Sequence, residues 1–334
     1  MPDLACVVHC HSTYSDGTGT VPQIAAAAAR AGADAVLLTD HDTLEAKRRG
    51  EEGWQGPVLV CVGVEVSPRR QNHYLAFGLD EEIVHEGMSP AQIVAAVREA
   101  GGFGFAAHPF SKGSEVFARA GPGMPWRDLE TEELDGLEVW SLVTDVAESL
   151  PRRRDAVRFI ATPGRVVDRP PARNLAEWDR LGALRRVVGI GGVDAHQFGL
   201  RIAGRVPLRL MGYHRSFSFL RTHALVEGEA SVDSLYAALR AGSCYLALDH
   251  LGSPKGFEFE GMGQEVEAGP RTLHARVPRP AALTLLRDGA PIARAQGTEV
   301  TAEVEEPGVY RVEATLPHHG RDRAWIISNP VYLR

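Results

Sequence analysis

Side chains that commonly bind metal ions recur at the ends of apolar, strand-like runs along this chain. The chain has 334 residues and 13 histidines, and six of the histidines lie in short motifs with carboxylates. Since all of these groups are nitrogen or oxygen donors, metal binding accounts for the pattern better than packing does. The nine potential ligands are His9, His11, Asp16, His41, Glu65, His73, His108, Asp194 and His196.

The spacing within two of the motifs has a geometric meaning. His9 and His11 are separated by one residue, and Asp194 and His196 repeat that spacing. In an extended strand, residues i and i+2 point to the same side. We therefore expect both imidazoles of the first pair to reach one cation without a turn. Cys10, between them, is expected to point away and is not counted as a ligand.

Strand-like and helix-like segments alternate through the first part of the chain. Repeated βα units indicate a parallel sheet, and their number favours a closed or nearly closed barrel over an open sheet. In either fold, functional residues gather at the carboxyl ends of the strands. The predicted strands are 4–8, 35–39, 58–64, 74–77, 103–107, 136–140 and 187–192, and the predicted helices include 22–31, 89–100 and 231–242.

The pattern changes near residue 250. From Gly256 onward the apolar segments are short and extended, with turn signals such as Asp288-Gly289 and Pro307-Gly308 between them. The sequence therefore predicts two domains. Residues 1–250 form an α/β domain, and residues 251–334 form a small C-terminal β-sandwich.

Composition narrows the kind of partner. The formal net charge is −7, whereas a nucleic-acid surface usually shows a basic face. No apolar run approaches the roughly 20 residues that span a bilayer, and the first residues lack the features of a signal peptide. We expect a cytoplasmic protein with a small-molecule substrate, and neither a nucleic-acid partner nor a membrane. The oligomeric state is left open.

Five motifs, taken together, define a recognisable pattern. They are His9-Cys10-His11-Ser12 with Asp16-Gly17, Thr39-Asp40-His41-Asp42, Gly63-Val64-Glu65, Ala107-His108-Pro109 and Asp194-Ala195-His196. This pattern closely resembles the PHP (polymerase and histidinol phosphatase) superfamily over roughly residues 3–250. The resemblance implies a distorted seven-stranded (β/α) barrel with up to three metal ions at the strand ends. The segment Trp325–Pro330 resembles the tail of the carbaryl-hydrolase-like branch.

The resemblance also implies how the ligands are shared among three metal sites. The first set is His9, His11, Glu65 and Asp194. The second set shares Glu65 as a bridge and adds His73 and His108. The third set is Asp16, His41 and His196. Within these sets, Glu65, Asp194 and His41 are the residues to which we assign a catalytic role.

The donor types independently suit hydrolysis. Mixed imidazole and carboxylate ligands fit Zn, Mn or Fe(II) without choosing among them, so we expect two or three divalent ions of undetermined identity. A water bridging two such ions about 3.5–4 Å apart becomes a hydroxide near neutral pH. The ions would also stabilise charge that develops on substrate oxygens. No covalent nucleophile is then needed, and Ser12 is interpreted as a hydrogen-bonding or packing residue.

Three functions remain open at this stage. The leading hypothesis is a metal-dependent phosphoesterase that cleaves a small phosphate mono- or diester with a metal-bound hydroxide. The alternative is a carboxyl ester, carbamate or amide hydrolase with the same metal centre, as the C-terminal resemblance suggests. The third is a non-catalytic, metal-stabilised binding module. An anionic phosphate ester requires basic side chains that face the metals, and the candidates are Arg69, Arg70, Lys112, Arg201 and Arg205.

Three further carboxylates have two interpretations each. Asp40 and Asp42 flank His41, and one of them could orient a ligand imidazole or simply cap the following segment. Glu138 lies inside a predicted strand, where it could support the site or be an ordinary strand-end residue.

Overall fold

The computed structural model describes residues 1–115, 123–130, 133–150, 152–202 and 205–334, without the side chains of 153, 198–202 and 205–210. The helices of these ranges are α1 (Val21–Ala31), α2 (Glu45–Arg48), α3 (Pro90–Glu99), α4 (Leu142–Ser149), α5 (Arg153–Ala161), α6 (Ala172–Leu184), α7 (Tyr213–Ser216) and α8 (Val232–Ala241), with 3₁₀ turns at Pro163–Arg165 and Asp249–Leu251.

The strands fall into an N-terminal series and a C-terminal series. The first is β1 (Asp3–Cys10), β2 (Ala35–His41), β3 (Gly53–Gln55), β4 (Val58–Val66), β5 (Tyr74–Phe77), β6 (Phe103–Ala106), β7 (Gly136–Ser141), β8 (Val188–Gly192), β9 (Phe198–Ile202), β10 (Arg205–Met211), β11 (Leu220–Leu225) and β12 (Cys244–Leu248). The second is β13 (Glu258–Phe259), β14 (Glu265–Val266), β15 (Arg271–Arg287), β16 (Ala290–Val304), β17 (Gly308–His318), β18 (Arg321–Ser328) and β19 (Val331–Leu333).

Helix α1 illustrates how local sequence sets the elements. Its alanines favour the helical conformation, and Pro22 occupies its first turn, where a missing N–H is harmless. The backbone N–H of Thr20 donates to the side chain of Gln23 at the start. The helix ends at Gly32, which adopts the left-handed conformation with φ of 75°. Ile24 and Ala28 lie on the face that packs into the core.

Seven strands pair in series to form the sheet that carries the site. β1, β2 and β4 are parallel neighbours, and β6, β7 and β8 are parallel neighbours. β5 lies between β4 and β6 and runs antiparallel to both. β3 adds an antiparallel edge to β4. The fold is thus mixed α/β with a large sheet, as the sequence predicts.

The segment that follows β8, the last strand of the series, bonds to β1, the first strand. Val193 donates from its backbone N–H to the carbonyl of Val8 at 2.8 Å, and His11 donates to the carbonyl of Ala195 at 3.0 Å. Nearer its start, β1 pairs instead with β11, which pairs with β12. One edge of β1 therefore has two partners. The first half of β1 pairs with β11 along this edge, and the second half bonds to the segment that follows β8.

The C-terminal strands continue from the N-terminal part. β18 pairs antiparallel with β12, so strand pairing joins a strand that precedes residue 250 to a strand that follows it. Asn329 strengthens this junction: its side chain donates to the carbonyls of Gly189 and Cys244 and accepts from the Gly189 N–H. This C-terminal part is strand-rich, as expected. The division at residues 250 and 251 and the sandwich arrangement stay predictions.

Several elements of the structure were not predicted from the sequence. The sequence patterns did not predict the helices α4 and α6, and β9 to β12 were not recognised as strands. Strand β15 has 17 residues, so it is longer than the short segments expected in this region, and it has a register shift between Arg276 and Ala281. Among the described helices, none combines the length and apolar character needed to cross a membrane.

Candidate metal centre

The strand ends bring the nine potential ligands to one edge of the sheet. His41 ends β2, Glu65 lies one residue before the end of β4, and His108 follows β6 closely. His73 lies just before β5, and β5 is antiparallel to its neighbours, with Tyr74 paired to Val66 and to Ala106. The start of β5 therefore meets the ends of β4 and β6, which explains why a histidine in a loop joins the group.

Glu65 lies at the centre of the cluster and is fully buried. Its Oε2 is 3.2 Å from Nε2 of His9, 3.3 Å from Nε2 of His11 and 3.2 Å from Nδ1 of His41. Its Oε1 is 2.8 Å from Nδ1 of His73 and 3.3 Å from Nε2 of His108. One carboxylate thus contacts five imidazoles, an arrangement suited to bridging cations.

Two further carboxylates organise the rest of the cluster. Oδ1 of Asp194 is 3.5 Å from Nε2 of both His9 and His11, and 3.4 Å from Nδ1 of His196. Oδ1 of Asp16 is 3.1 Å from Nε2 of His196. Asp16 is the outermost member, because its side chain is 58% exposed while Glu65 has no exposure. The cluster therefore opens to solvent on the side of Asp16.

The ligand atoms form four overlapping groups, each with all its atoms within 4.8 Å of one another. All nine predicted ligands belong to at least one group, but the sharing differs from the three sets that the resemblance implies. His11 also joins the Asp16 group, His41 also joins Glu65, and His73 and His108 fall in different groups. The groups are His11/Asp16/His41/His196, His9/Glu65/His108, His9/His11/Asp194 and His41/Glu65/His73.

The backbone at His9 departs from the extended conformation that the i, i+2 spacing predicts. His9 has φ of 65° and lies at a register shift between β1 and β2, so it is not in regular extended conformation. His108 and Asp194 also have positive φ, at 30° and 54°. Non-glycine residues in this region cost of order 1–3 kcal/mol each and cluster at functional sites. His9 and His11 do converge, but they converge through a bulge.

The donor set fits divalent cations. His11 is fully buried, and neither of its ring nitrogens has a hydrogen-bond partner of good geometry in the described structure. Burial and the nearby His196 lower the pKa of His11 to about 4, which keeps this imidazole neutral, as metal binding requires. Burial opposes ionisation of Glu65, but His9 and His73 outweigh it and hold the pKa of that carboxyl well below its ordinary value.

Glu138 is a buried carboxylate that contacts two of the potential ligands from behind. It is 1% exposed, and its Oε1 lies 3.0 Å from Nδ1 of His9. Its Oε2 accepts the backbone N–H of His108 at 2.6 Å. Nδ1 of His108 in turn lies 3.3 Å from the carbonyl of Met124. Both rings are thereby oriented with Nε2 toward Glu65, which favours the supporting interpretation of Glu138.

Asp40 holds the loop that carries Asp16. Its carboxylate accepts the backbone N–H and the hydroxyl of Ser12 and the hydroxyl of Ser15. In the described part of the chain, no hydrogen bond joins this carboxylate to an imidazole, and Ser12 is a hydrogen-bonding residue, one of the two roles expected for it. Asp42 accepts the backbone N–H of Ser67, and the Ser67 hydroxyl lies 2.7 Å from Nδ1 of His41.

Tyr213 holds the other end of that loop. Its hydroxyl donates to the carbonyl of His11 at 2.8 Å and accepts the backbone N–H groups of Thr18 and Gly19, each at 3.1 Å. Gly17 packs so closely that an added Cβ would be 2.2 Å from the His11 oxygen. Sequence reasoning missed Tyr213, because 202 residues separate it from His11 and no motif marks it.

We expect Tyr213→Phe to weaken metal binding at the Asp16 group by up to about tenfold, since it leaves buried backbone groups unpaired at about 1–3 kcal/mol. Isothermal titration with Mn²⁺ and thermal unfolding would measure this effect. Tyr310→Phe is the matched control, because the hydroxyl of Tyr310 donates to the carbonyl of Glu306, in the C-terminal strands. Equal losses of metal affinity in both variants would contradict the role given to Tyr213.

The basic residues predicted to bind substrate receive no support from the geometry. Arg69, Arg70 and Lys112 are exposed, and within the described ranges no hydrogen bond or ion pair joins their side chains to the cluster. The side chains of Arg201 and Arg205 lie outside the described residues. All five stay predictions.

Comparison with known proteins agrees with the site. Residues 8–131 match the model of the PHP domain, which confirms over these residues the resemblance seen in the sequence. A phosphoribosyl 1,2-cyclic phosphate 1,2-diphosphodiesterase from Eggerthella lenta is 36% identical over 80 residues. The match covers 22% of this chain and 30% of that relative, so the chain spans under a third of its length.

A solved structure is similar over nearly the whole chain. It is a two-domain protein from Bacteroides vulgatus that contains a predicted PHP-like metal-dependent phosphoesterase. The two share 16% sequence identity with a TM-score of 0.45, and the alignment covers 98% of this chain and 95% of the other.

Proposed function

We propose that this protein is a metal-dependent phosphoesterase that cleaves a small phosphate mono- or diester. The observation that carries the proposal is the buried Glu65 carboxylate in contact with five imidazoles, next to the carboxylates of Asp16 and Asp194. The PHP domain supports the phosphoesterase class. The diphosphodiesterase relative makes a cyclic phosphodiester of a sugar a reasonable first substrate.

Residues in different parts of the site would have different roles. All nine predicted ligands would hold two or three divalent ions, grouped around Glu65, Asp194 and Asp16. Such ions, when bound, lower the pKa of water and neutralise charge on phosphate oxygens. The chain itself orients the imidazoles through Glu138 and keeps water from the deep ligands. A substrate would approach from the exposed side of Asp16 and His41, whose side chains are 58% and 29% exposed.

We also infer that the seven paired strands form the distorted barrel that the superfamily resemblance implies. Support comes from the backbone bonds of Val193 to Val8 and of His11 to Ala195, which join the two ends of the series. In that arrangement the ligands lie at the carboxyl-terminal mouth, where barrel enzymes carry their sites.

A substrate panel tests the proposal. Purified protein loaded with Mn²⁺, Zn²⁺ or Fe²⁺ is assayed with p-nitrophenyl phosphate, bis(p-nitrophenyl) phosphate, a ribose cyclic phosphodiester and p-nitrophenyl acetate. We expect hydrolysis of at least one phosphate ester, loss of activity after chelation and recovery when metal is restored. Hydrolysis of the carboxyl ester alone would refute the proposal, and so would the absence of turnover on every phosphate ester after metal content is verified.

A further inference from the structure

A cavity of about 590 Å³ lies between α5 and the turn that joins β17 to β18. Arg158 comes from α5, Arg165 from the 3₁₀ turn that follows, and Arg321 and Arg323 from the beginning of β18. Segments far apart in the chain thus bring four guanidinium groups to one concave surface. The volume lies within the range of roughly 300–1,000 Å³ that is usual for small-molecule sites.

Arg323 is the fixed member of this group. It is 1% exposed, and its guanidinium donates to the backbone carbonyls of Arg165, Val167 and His318. These bonds tie β18 to the segment after α5. They also fix the wall of the cavity in place, because the guanidinium is a planar group with donors in set directions.

The cavity has an excess of positive charge. Across the described residues, no ion pair involves Arg158, Arg165 or Arg321, and Asp155 is the one acidic residue in the lining. A guanidinium group stays charged at every relevant pH, so these groups repel one another unless an anion lies between them. The chain as a whole has a net charge of −7, so the positive charge of this group of four arginines is opposite in sign to that of the whole chain.

We propose that this cavity binds a small oxyanion with at least two negative charges, carried by phosphate or carboxylate groups. Guanidinium forks match both kinds of group through paired hydrogen bonds. None of the nine predicted metal ligands lines the cavity, so this site is distinct from the candidate metal centre and does not depend on the proposed function. A bound anion would join α5 to the C-terminal strands and stabilise the fold.

Calorimetric titration of the full chain with inorganic phosphate, pyrophosphate and malonate tests the site. Titrations are done at constant ionic strength, before and after chelation, so that binding at the metal centre is recognised by its loss. We expect saturable binding that survives chelation, and the preferred anion identifies phosphate or carboxylate as the ligand group. Absence of saturable binding by all three anions after chelation would overturn the proposal.

Matched variants place the binding in the cavity. Arg158→Gln and Arg321→Gln should each weaken anion binding about tenfold or more, because each removes charge-assisted hydrogen bonds. Arg154→Gln is the control, since Arg154 lies on the same helix and is exposed but does not line the cavity. Equal weakening by Arg154→Gln would show general attraction to a basic helix and would overturn the assignment. The side chains of Arg154, Arg158 and Arg321 are exposed. We therefore expect all three variants to fold, and circular dichroism checks this.

Discussion

Glu65→Gln is expected to release at least one metal ion per chain and to lower kcat/KM of the proposed phosphoesterase reaction by about 100-fold or more. Loss of a group that only supports a metal ligand costs about 10–100-fold in metal affinity or activity, and Glu65 lies at the centre of the cluster itself. Its two oxygens contact five imidazoles, whereas Asp194 and Asp16 each contact three. Elemental analysis of purified protein, together with steady-state kinetics at saturating metal, measures both effects.

The charge of Glu65 also matters in the metal-free protein. Burial and the carboxylates Glu138 and Glu65 act on His9, and the carboxylates prevail, so the pKa of His9 lies well above its ordinary value. Glu65→Gln removes one of these carboxylates, which changes the electrostatic environment of the buried His9 and can change stability. The thermal stability of the variant is therefore measured together with its activity. Glu305→Gln is the control for loss of one acidic charge, because Glu305 is exposed. Full metal content and activity in Glu65→Gln would refute the bridging role.

The sequence predicts which residues come together better than it predicts how they do so. Strand-end positions identify His41, Glu65 and His108, because parallel strands present their carboxyl ends at a common edge. His73 requires knowledge that β5 runs antiparallel, which depends on its pairing with β4 and β6. The left-handed backbone of His9 depends on a bulge, and no local pattern in the sequence indicates it.

Contacts between distant segments set the limits of prediction elsewhere. Asn329 lies 140 residues from Gly189 and joins the C-terminal strands to β8. Tyr213 and Asp40 hold the Asp16 loop from two separate elements. The arginine-lined cavity likewise combines α5 with β18. Each of these depends on tertiary packing, which composition and periodicity do not encode.

Glu138→Gln is the second change with a large expected effect, and it acts through the protonation of His9. In the native site, Glu138 accepts from Nδ1 of His9 and from the backbone N–H of His108, so the neutral His9 ring keeps its proton on Nδ1 and leaves Nε2, which faces Glu65, unprotonated for a cation. Glutamine offers one oxygen and one NH₂ group. If its oxygen faces His108, its NH₂ donates to Nδ1 and the His9 proton moves to Nε2, where it blocks the ligand atom.

The other orientation of glutamine is no better. Its NH₂ group would then face the N–H of His108, and the donor–donor contact would displace His108, a potential ligand whose φ is already positive at 30°. We therefore expect metal affinity to fall about 10–100-fold, as measured by competition with a metal-binding dye.

The fraction of kcat that Glu138→Gln recovers at high metal concentration tells whether Glu138 positions the ligands or whether its loss simply unfolds the protein. If Glu138 positions the ligands, added metal should restore a large part of kcat, because occupancy rises while the ligands remain. Glu148→Gln is the matched control: Glu148 accepts from the Ser111 hydroxyl and from the backbone N–H groups of Lys112 and Gly113, not from an imidazole. Unchanged metal affinity in Glu138→Gln, or an equal loss in Glu148→Gln, would mean that the tautomer of His9 is set by something other than Glu138.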